Sequence, residues 1–581
     1  MKITKNNPQR FPVKALPTVS FALVLGLGLA TSALAVTYYV DASGGSDGNS
    51  GLDPLDAWQS IARANQQAYG PGDSILLRRG CSWQGAGFKA NGNGTVDAPI
   101  VLADYGEAGD PLPLIDAVGP HEPAVLLLNV QNWIVRNLEL TQHGQTPQNL
   151  DPGNEKGKDA DQFSDEYMRA VVHVLGLSPA NDPNGGEGST VRNVLLENLV
   201  VHDGSWTGIY ASGGYYQFDS GRFGTLDNLV ISGVESYNHH KAGIEVTCTY
   251  YKTRIYAASN IWVLNSHLHN NGGDGVVVGP VRNGLLDGNL CEFNGRIRNA
   301  RIGCWTWDSE NTTIQFNESC YNMTPLNTAK ARDGGGFDLD LGTENGMIQY
   351  NWSHDNQGEG FLLDSWPVGF GYSRGVSHNV QMRYNVGERD GKKLSGGITV
   401  FGGVSGAIYN NTIYYEADRL AGSTMFQGEG APLTTSVWGK SGKPDLRIYN
   451  NIFITKKTST AAINNNLWTD GTGIFTFDNN IWWRMEGGLR FQWGTKPITT
   501  LSAWRAKGFD RSGMNADPLV AGPLGGGPVA YKLQALSPAI NRGRVVTDAL
   551  RGMGPQDAFG VPTPQGTYYD VGASEYDYGQ R

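Results

Sequence analysis

Two short segments of the chain, 24 residues apart, align position for position: Gly336-Phe337-Asp338-Leu339-Asp340 and Gly360-Phe361-Leu362-Leu363-Asp364. If both are parallel strands stacked as neighbours, Asp340 and Asp364 lie about 5 Å apart, the spacing of adjacent strands. Like charges side by side repel, so folding alone gives no reason for the pair. Glycosidic bond cleavage does. It needs one carboxyl group to protonate the leaving oxygen and a second as nucleophile or base, about 5–5.5 Å apart for retention and roughly 6.5–9.5 Å for inversion. Asp340 and Asp364 suit the shorter range, and the diagonal Asp338 and Asp364 the longer. Crowding also raises the pKa of one member and keeps it a proton donor. Asp338, Asp340 and Asp364 are therefore the candidate catalytic residues. Solvated carboxylates at strand ends, or a calcium site built from the same oxygens, are the competing readings.

Other residues support these three. Asp308 is placed one coil earlier in the column of Asp340, and Glu359 lies just before its strand at the edge of the same groove. Glu245 projects from the same face several coils earlier, about 14 Å or more away by strand spacing, and suits a distant contact with substrate. Lys241, Arg301, Arg332, Lys392 and Lys393 precede strands. A β-elimination lyase acting on a uronic acid polymer would need one of them as base, with Arg332 and the Lys392/Lys393 pair nearest in phase. A solvated loop charge is the ordinary alternative for each. His239, His240 and His354 read as corner residues satisfying backbone groups, or as acid–base groups near neutrality. Aromatic faces stack on sugar rings. Tyr210, Trp206, Tyr237, Trp352, Trp438 and above all Trp366 are the candidates, while Trp305 and Trp307 fall in inward phase and read as core.

A repeated unit must position these groups. One half ends a strand with Asn: Trp262-Val263-Leu264-Asn265, Ile314-Gln315-Phe316-Asn317, Ile348-Gln349-Tyr350-Asn351, Met382-Arg383-Tyr384-Asn385, Ile408-Tyr409-Asn410-Asn411, Ile448-Tyr449-Asn450-Asn451 and Phe477-Asp478-Asn479-Asn480, with Leu286-Asp287-Gly288-Asn289 a weaker member. Asn tolerates the left-handed backbone of a sharp corner, and stacked Asn side chains can hydrogen-bond from coil to coil. A unit of roughly 20–25 residues with variable insertions marks a solenoid. The other half is a Gly-led strand, as at Gly208, Gly243, Gly275, Gly336, Gly360 and Gly397, with Cys304 taken as the equivalent position. Period two then gives one outward column of Tyr210, Glu245, Val277, Thr306, Asp338, Leu362 and Thr399. A second runs through Ser212, Thr247, Gly279, Asp308, Asp340, Asp364 and Phe401.

These features resemble the right-handed parallel β-helix proteins, the pectate-lyase-like superfamily. The opening Tyr38-Tyr39-Val40-Asp41, Ala57-Trp58 and Pro71-Gly72-Asp73, and the closing Asp517-Pro518-Leu519, Leu536-Ser537-Pro538-Ala539 and Asp570-Val571-Gly572-Ala573, are similar to exported members. The resemblance implies an all-β, single-stranded right-handed parallel β-helix over residues 36–545, with insertions near 143–167, 215–223, 250–256, 367–377 and 416–443 and a closing segment at 546–581. A fold of this kind hosts many chemistries. The Gly336–Asp364 region resembles calcium-dependent pectate lyases but has Gly335, Gly358-Glu359 and Leu362 where they carry Asp. The Asp-Pro-His motif of alginate epimerases and the polygalacturonase motifs are absent. The remainder looks like β-helix glycoside hydrolases, some of which place two acids on successive coils.

Composition fits. The 581 residues include 79 Gly, only 17% are charged, and the formal net charge is −10, as expected of a turn-rich all-β chain and not of a nucleic-acid binder. Lys2, Lys5, Arg10 and Lys14 precede an apolar run that ends in Ala33-Leu34-Ala35. That pattern predicts a signal peptide over 1–35, and a secreted or periplasmic monomer with no membrane partner once it is removed. The five cysteines show no zinc-ligand spacing in sequence and read as small buried side chains. The expected partner is a polysaccharide or oligosaccharide. The leading reading is a glycoside hydrolase without cofactor. A polysaccharide lyase, with calcium as its possible cofactor, and a non-catalytic carbohydrate-binding solenoid are the alternatives.

Overall fold

The computed structural model describes residues 34–118, 122–142, 170–177, 189–213, 224–247, 257–297, 301–324, 333–365, 375–392, 396–416, 430–436, 442–456, 461–465, 473–494, 496–547 and 551–579. The proposed signal peptide (Leu34 and Ala35 apart), Arg332, Lys393, Trp366, Trp438, Cys248 and most of the expected insertions lie outside them. The described residues form two compact units, 34–284 and 285–579.

Each unit is built of parallel strands that return to the same three sheets once per coil. In the first unit, the first sheet includes Gln131–Arg136, Thr190–Glu197 and Thr225–Ser232, the second Val172–Leu175, Ile209–Ser212 and Ile244–Val246, and the third Glu139–Thr141, Val200–His202 and Glu235–Tyr237. In the second unit one coil runs through Asp333–Asp340 in the second sheet, Met347–Gln349 in the first, Trp352–His354 in the third, and back to Phe361–Asp364. Inward side chains stack in register. Phe337 lies over Phe361 with ring centroids 5.4 Å apart, and both are fully buried, each contributing about 1.5–3 kcal/mol of apolar burial. Glycine leads such strands because the next corner comes too close for a side chain. A Cβ at Gly336 would meet Ser353 Oγ at 2.4 Å and the Gly360 carbonyl at 2.7 Å.

Between the first and third sheets runs a ladder of buried amides. The Asn289 side chain donates to Asn317 Oδ1 at 2.9 Å, Asn317 to Asn351 at 3.0 Å, and Asn351 to Asn385 at 3.0 Å. Asn385 donates to Asn411 at 2.9 Å, Asn411 to Asn451 at 3.0 Å, and Asn451 to Asn480 at 3.0 Å, and Asn480 ends on Asp510 at 3.2 Å. The left-handed residue of each corner is the one before the ladder amide, and it need not be Asn: Phe316, Tyr350 and Tyr384 adopt φ of 55°, 59° and 51°. A shorter ladder beyond the third sheet joins Asn294, Asn322 and Asn356 and ends on Asp390.

The far end of the second unit is closed by the helix Leu501–Ala506. Its Trp504 is fully buried and stacks on Phe491 at 4.6 Å. The following residues run back along the flank of the coils. Tyr531 donates to Glu388 Oε2 at 2.8 Å, Asn410 to the Asp570 carbonyl at 2.9 Å, and Arg551 to Thr313 at 2.8 Å. Among the described residues no helix is long and apolar enough to cross a membrane.

Candidate active site

The strand Asp333–Asp340 buries Phe337 and Leu339 completely, so Asp338 and Asp340 point to the outer face. Asp338 pairs with Leu362, and Leu339 with Leu363, which sets Asp340 beside Asp364, as the sequence alignment predicts. Leu362 pairs in turn with Thr399, and Asp364 with Phe401.

One coil earlier the register differs from the expected one. Cys304 pairs with Phe337, Trp305 with Asp338, Thr306 with Leu339 and Trp307 with Asp340. Cys304 therefore takes the inward Phe position, and the strand is shifted by one residue, which exchanges its two faces. Thr306 is fully buried. Trp305 and Trp307 are outward neighbours of the Asp338 and Asp340 columns and do not point inward as expected, Trp305 half-buried and Trp307 buried. Asp308 falls one position past the column. It remains close, because its N–H donates to the Asp340 carbonyl at 3.0 Å and its charge acts on Asp340.

The carboxylates are crowded and poorly solvated. Asp338 is 2% exposed and its Oδ1 has no hydrogen-bond partner. Burial, then the charges of Asp340, Asp364, Asp333 and Glu359, push its pKa well above the usual carboxylate range, because each disfavours the charged form. Asp340 is half-buried. Its Oδ1 accepts the Leu341 N–H at 2.7 Å and its carboxyl group hydrogen-bonds Asp364. Burial and then the charge of Asp333 raise it to about 7, against those two stabilising bonds. Glu359 is 1% exposed, a buried member of the cluster and not a solvated turn residue.

Asp333 was not singled out from sequence, yet it acts on both central carboxylates. Its backbone is left-handed, with φ 52° followed by 84° at Gly334, and the register shifts opposite it between Arg301 and Ile302. The run Gly334-Gly335-Gly336 was the available signal, since consecutive glycines before a strand mark a close backbone bend.

Several other expectations are redirected. Lys392 does not serve the cluster: its Nζ sits 2.6 Å from Asp355 Oδ1, beside the third sheet. Trp352 and Tyr237 belong to third-sheet strands, and Trp352 is buried in the core formed with the C-terminal residues Tyr531 and Phe559, so it is no sugar platform. His239 does satisfy backbone, accepting the Gly204 N–H at 3.0 Å. His354 instead stands between Glu318 and Asp355. In the first unit, Tyr210 and Glu245 pair on the outer face of the second sheet. Glu245 accepts from Lys241 Nζ at 2.7 Å, with both side chains buried. Among the described cysteines, Cys81, Cys291, Cys304 and Cys320 are buried thiols in no disulfide.

Comparison with known proteins matches residues 186–413, which include the carboxylate cluster, to a right-handed β-helix region. A lacto-N-biosidase of Bifidobacterium longum subsp. longum is 25% identical over 637 aligned positions, covering 92% of this chain and 36% of the relative. The chain thus spans about a third of the length of that relative. Among solved structures, a GH136 lacto-N-biosidase from Eubacterium ramulus is 19% identical with a TM-score of 0.48, covering 71% of this chain and 68% of its own. A pectate lyase is 15% identical with a TM-score of 0.40, covering 94% and 97%. By its three sheets of parallel coils and by the matched region, the chain is a right-handed parallel β-helix protein.

Proposed function

We propose that the chain is a glycoside hydrolase acting on an oligosaccharide or polysaccharide outside the cytoplasm, with Asp340 as its proton donor. The observation that carries this reading is a half-buried carboxyl group held at about 7 by burial and a neighbouring carboxylate. A glycosidase acid has that property: protonated near neutrality and still able to give the proton up. The sequence similarity to a lacto-N-biosidase supports the same class, and supports an oligosaccharide carrying a lacto-N-biose unit as the first substrate to try.

In this mechanism Asp340 protonates the leaving oxygen as the glycosidic bond breaks. Asp364 is tied to Asp340 by a hydrogen bond, which leaves Asp333 as the second carboxylate. It attacks the anomeric carbon, or deprotonates the water that does. In the first case Asp340, now ionised, takes a proton from water in the step that hydrolyses the glycosyl ester. The raised pKa of Asp338 favours its neutral form and so limits the negative charge of the cluster. Trp305, half-buried, offers an aromatic face one coil away. The carboxylates alone carry this chemistry, with no cofactor in any step.

The test is a panel of neutral and acidic glycans, lacto-N-biose-terminated oligosaccharides included, read for new reducing ends and for the near-ultraviolet absorbance of an unsaturated sugar. Reducing ends without that absorbance, lost in Asp340→Asn and Asp333→Asn, are expected. Absorbance growing with product would make the enzyme a lyase and overturn the reading.

A further inference from the structure

On the third sheet of the second unit, away from the carboxylate cluster of the second sheet, four successive coils bring together unlike side chains. Glu292, Cys320, His354 and Glu388 occupy one cross-strand column, and Glu318 lies two residues before Cys320 on the same strand. One ligand atom each from Glu318, Cys320 and His354 lies within 4.8 Å of the other two. Cys320 is 1% exposed and His354 5%. We propose that Glu318, Cys320 and His354 form a binding site for a divalent transition-metal ion of the zinc class, which clamps neighbouring coils of the solenoid.

The donor set and its geometry support this. Thiolate, imidazole and carboxylate are the ligands zinc takes, at about 2.3 Å for sulfur and 2.0–2.2 Å for nitrogen and oxygen. A tetrahedral ion at those lengths holds its nitrogen and oxygen ligands about 3.3 Å apart, and His354 Nε2 stands 3.3 Å from Glu318 Oε1. That spacing is long for a charge-assisted hydrogen bond. The imidazole also hydrogen-bonds the Cys320 thiol, so thiol, imidazole and carboxylate converge as a shared cation requires. The remaining ring nitrogen is already held: Nδ1 sits 3.0 Å from Asp355 Oδ2, and that carboxylate is anchored by Arg389, 2.6 Å from Oδ2, and by Lys392, 2.6 Å from Oδ1. A carboxylate on the far nitrogen of a metal-binding histidine fixes its tautomer and aims the other nitrogen at the ion. Trp352, stacked on the imidazole at 4.0 Å, fixes the ring plane. Glu292 Oε2, 4.0 Å from Cys320 Sγ, is placed to supply a fourth ligand.

The experiment is a Co²⁺ titration of the reduced, chelator-treated full chain, followed by visible and near-ultraviolet absorbance. One equivalent is expected to bind, with tetrahedral visible bands and a thiolate-to-cobalt band, both removed when Zn²⁺ is added. Cys320→Ser should abolish the thiolate band. Glu318→Gln should keep that band and weaken binding at least about tenfold, with circular dichroism showing each variant folded. Absence of binding, cobalt bound without a thiolate band, a band that survives Cys320→Ser, or unchanged affinity in Glu318→Gln would each overturn the proposal.

Discussion

Asp390 offers a sharp test of how the coils are held. Its Oδ1 accepts both the backbone N–H and the side-chain amide of Asn356, at 3.1 and 2.8 Å, while its Oδ2 is buried without a hydrogen-bond partner. Burial raises its pKa from 3.8 to about 7. The native state therefore favours the protonated form, and the unfolded chain loses its proton first as pH rises. The Asp390 contribution is intact below about pH 4, falls between pH 4 and 7, and is flat above. A gap of about three pH units corresponds to about 4 kcal/mol of lost stability. Asp390→Asn keeps an acceptor for Asn356 and carries no charge. It should leave stability unchanged within about 0.5 kcal/mol at pH 4 and raise it by about 2–4 kcal/mol at pH 8. Urea unfolding of both proteins at the two pH values measures this. An equal gain at both pH values, or a loss at pH 8, would show that the buried carboxyl is not what costs stability there.

The catalytic reading predicts that Asp340→Asn lowers kcat by about 10²–10⁴-fold with circular dichroism unchanged; a loss confined to KM would remove Asp340 from the chemistry. Because the acid form of Asp340 is the active one, kcat should fall as pH rises past about 7, and a rate still climbing at pH 9 would contradict its role. Asn351→Ala strips donors from the Ile314 and Gln349 carbonyls and the acceptor from Asn317. With about 1–3 kcal/mol per stranded group, it should cost at least about 3 kcal/mol in denaturant unfolding. Lys241→Met leaves Glu245 buried without its cation and should cost about 3–5 kcal/mol at pH 8.

The coil architecture was legible because two signals repeat in phase: the Asn after each first-sheet strand and the Gly before each second-sheet strand. The pairing of Asp340 with Asp364 followed from that phase. The coil of Trp305 was misread because it lacks the repeat's sequence marks. Cys304 stands where Phe is expected, Gly303 is the true equivalent of Gly336, and a one-residue slip is invisible to a pattern that alternates. Asp333 escaped notice because it precedes the strand's alternating part and is brought to the cluster by a glycine bend, which leaves no periodic trace. The metal-ligand trio was equally hidden. Glu318 and Cys320 lie in one short strand, but His354 comes from the next coil, 34 residues after Cys320, and only the strand register joins them.

The amide ladder also has a direction. From Asn289 to Asn480 every side-chain amide donates toward the next coil, and from Asn317 onward each also accepts from the previous one. Seven amide dipoles therefore point the same way, aligned head to tail like the peptide dipoles of a helix but with the N–H end facing the later coils. Such an array needs an acceptor at its end. Asp510 supplies it, receiving the Asn480 backbone and side-chain donors and Trp482 Nε1, and Asp390 does the same for the shorter ladder. A coil added beyond either acid would need an amide in its place for the array to continue, so these two carboxylates act as stop signals that set how far each ladder extends.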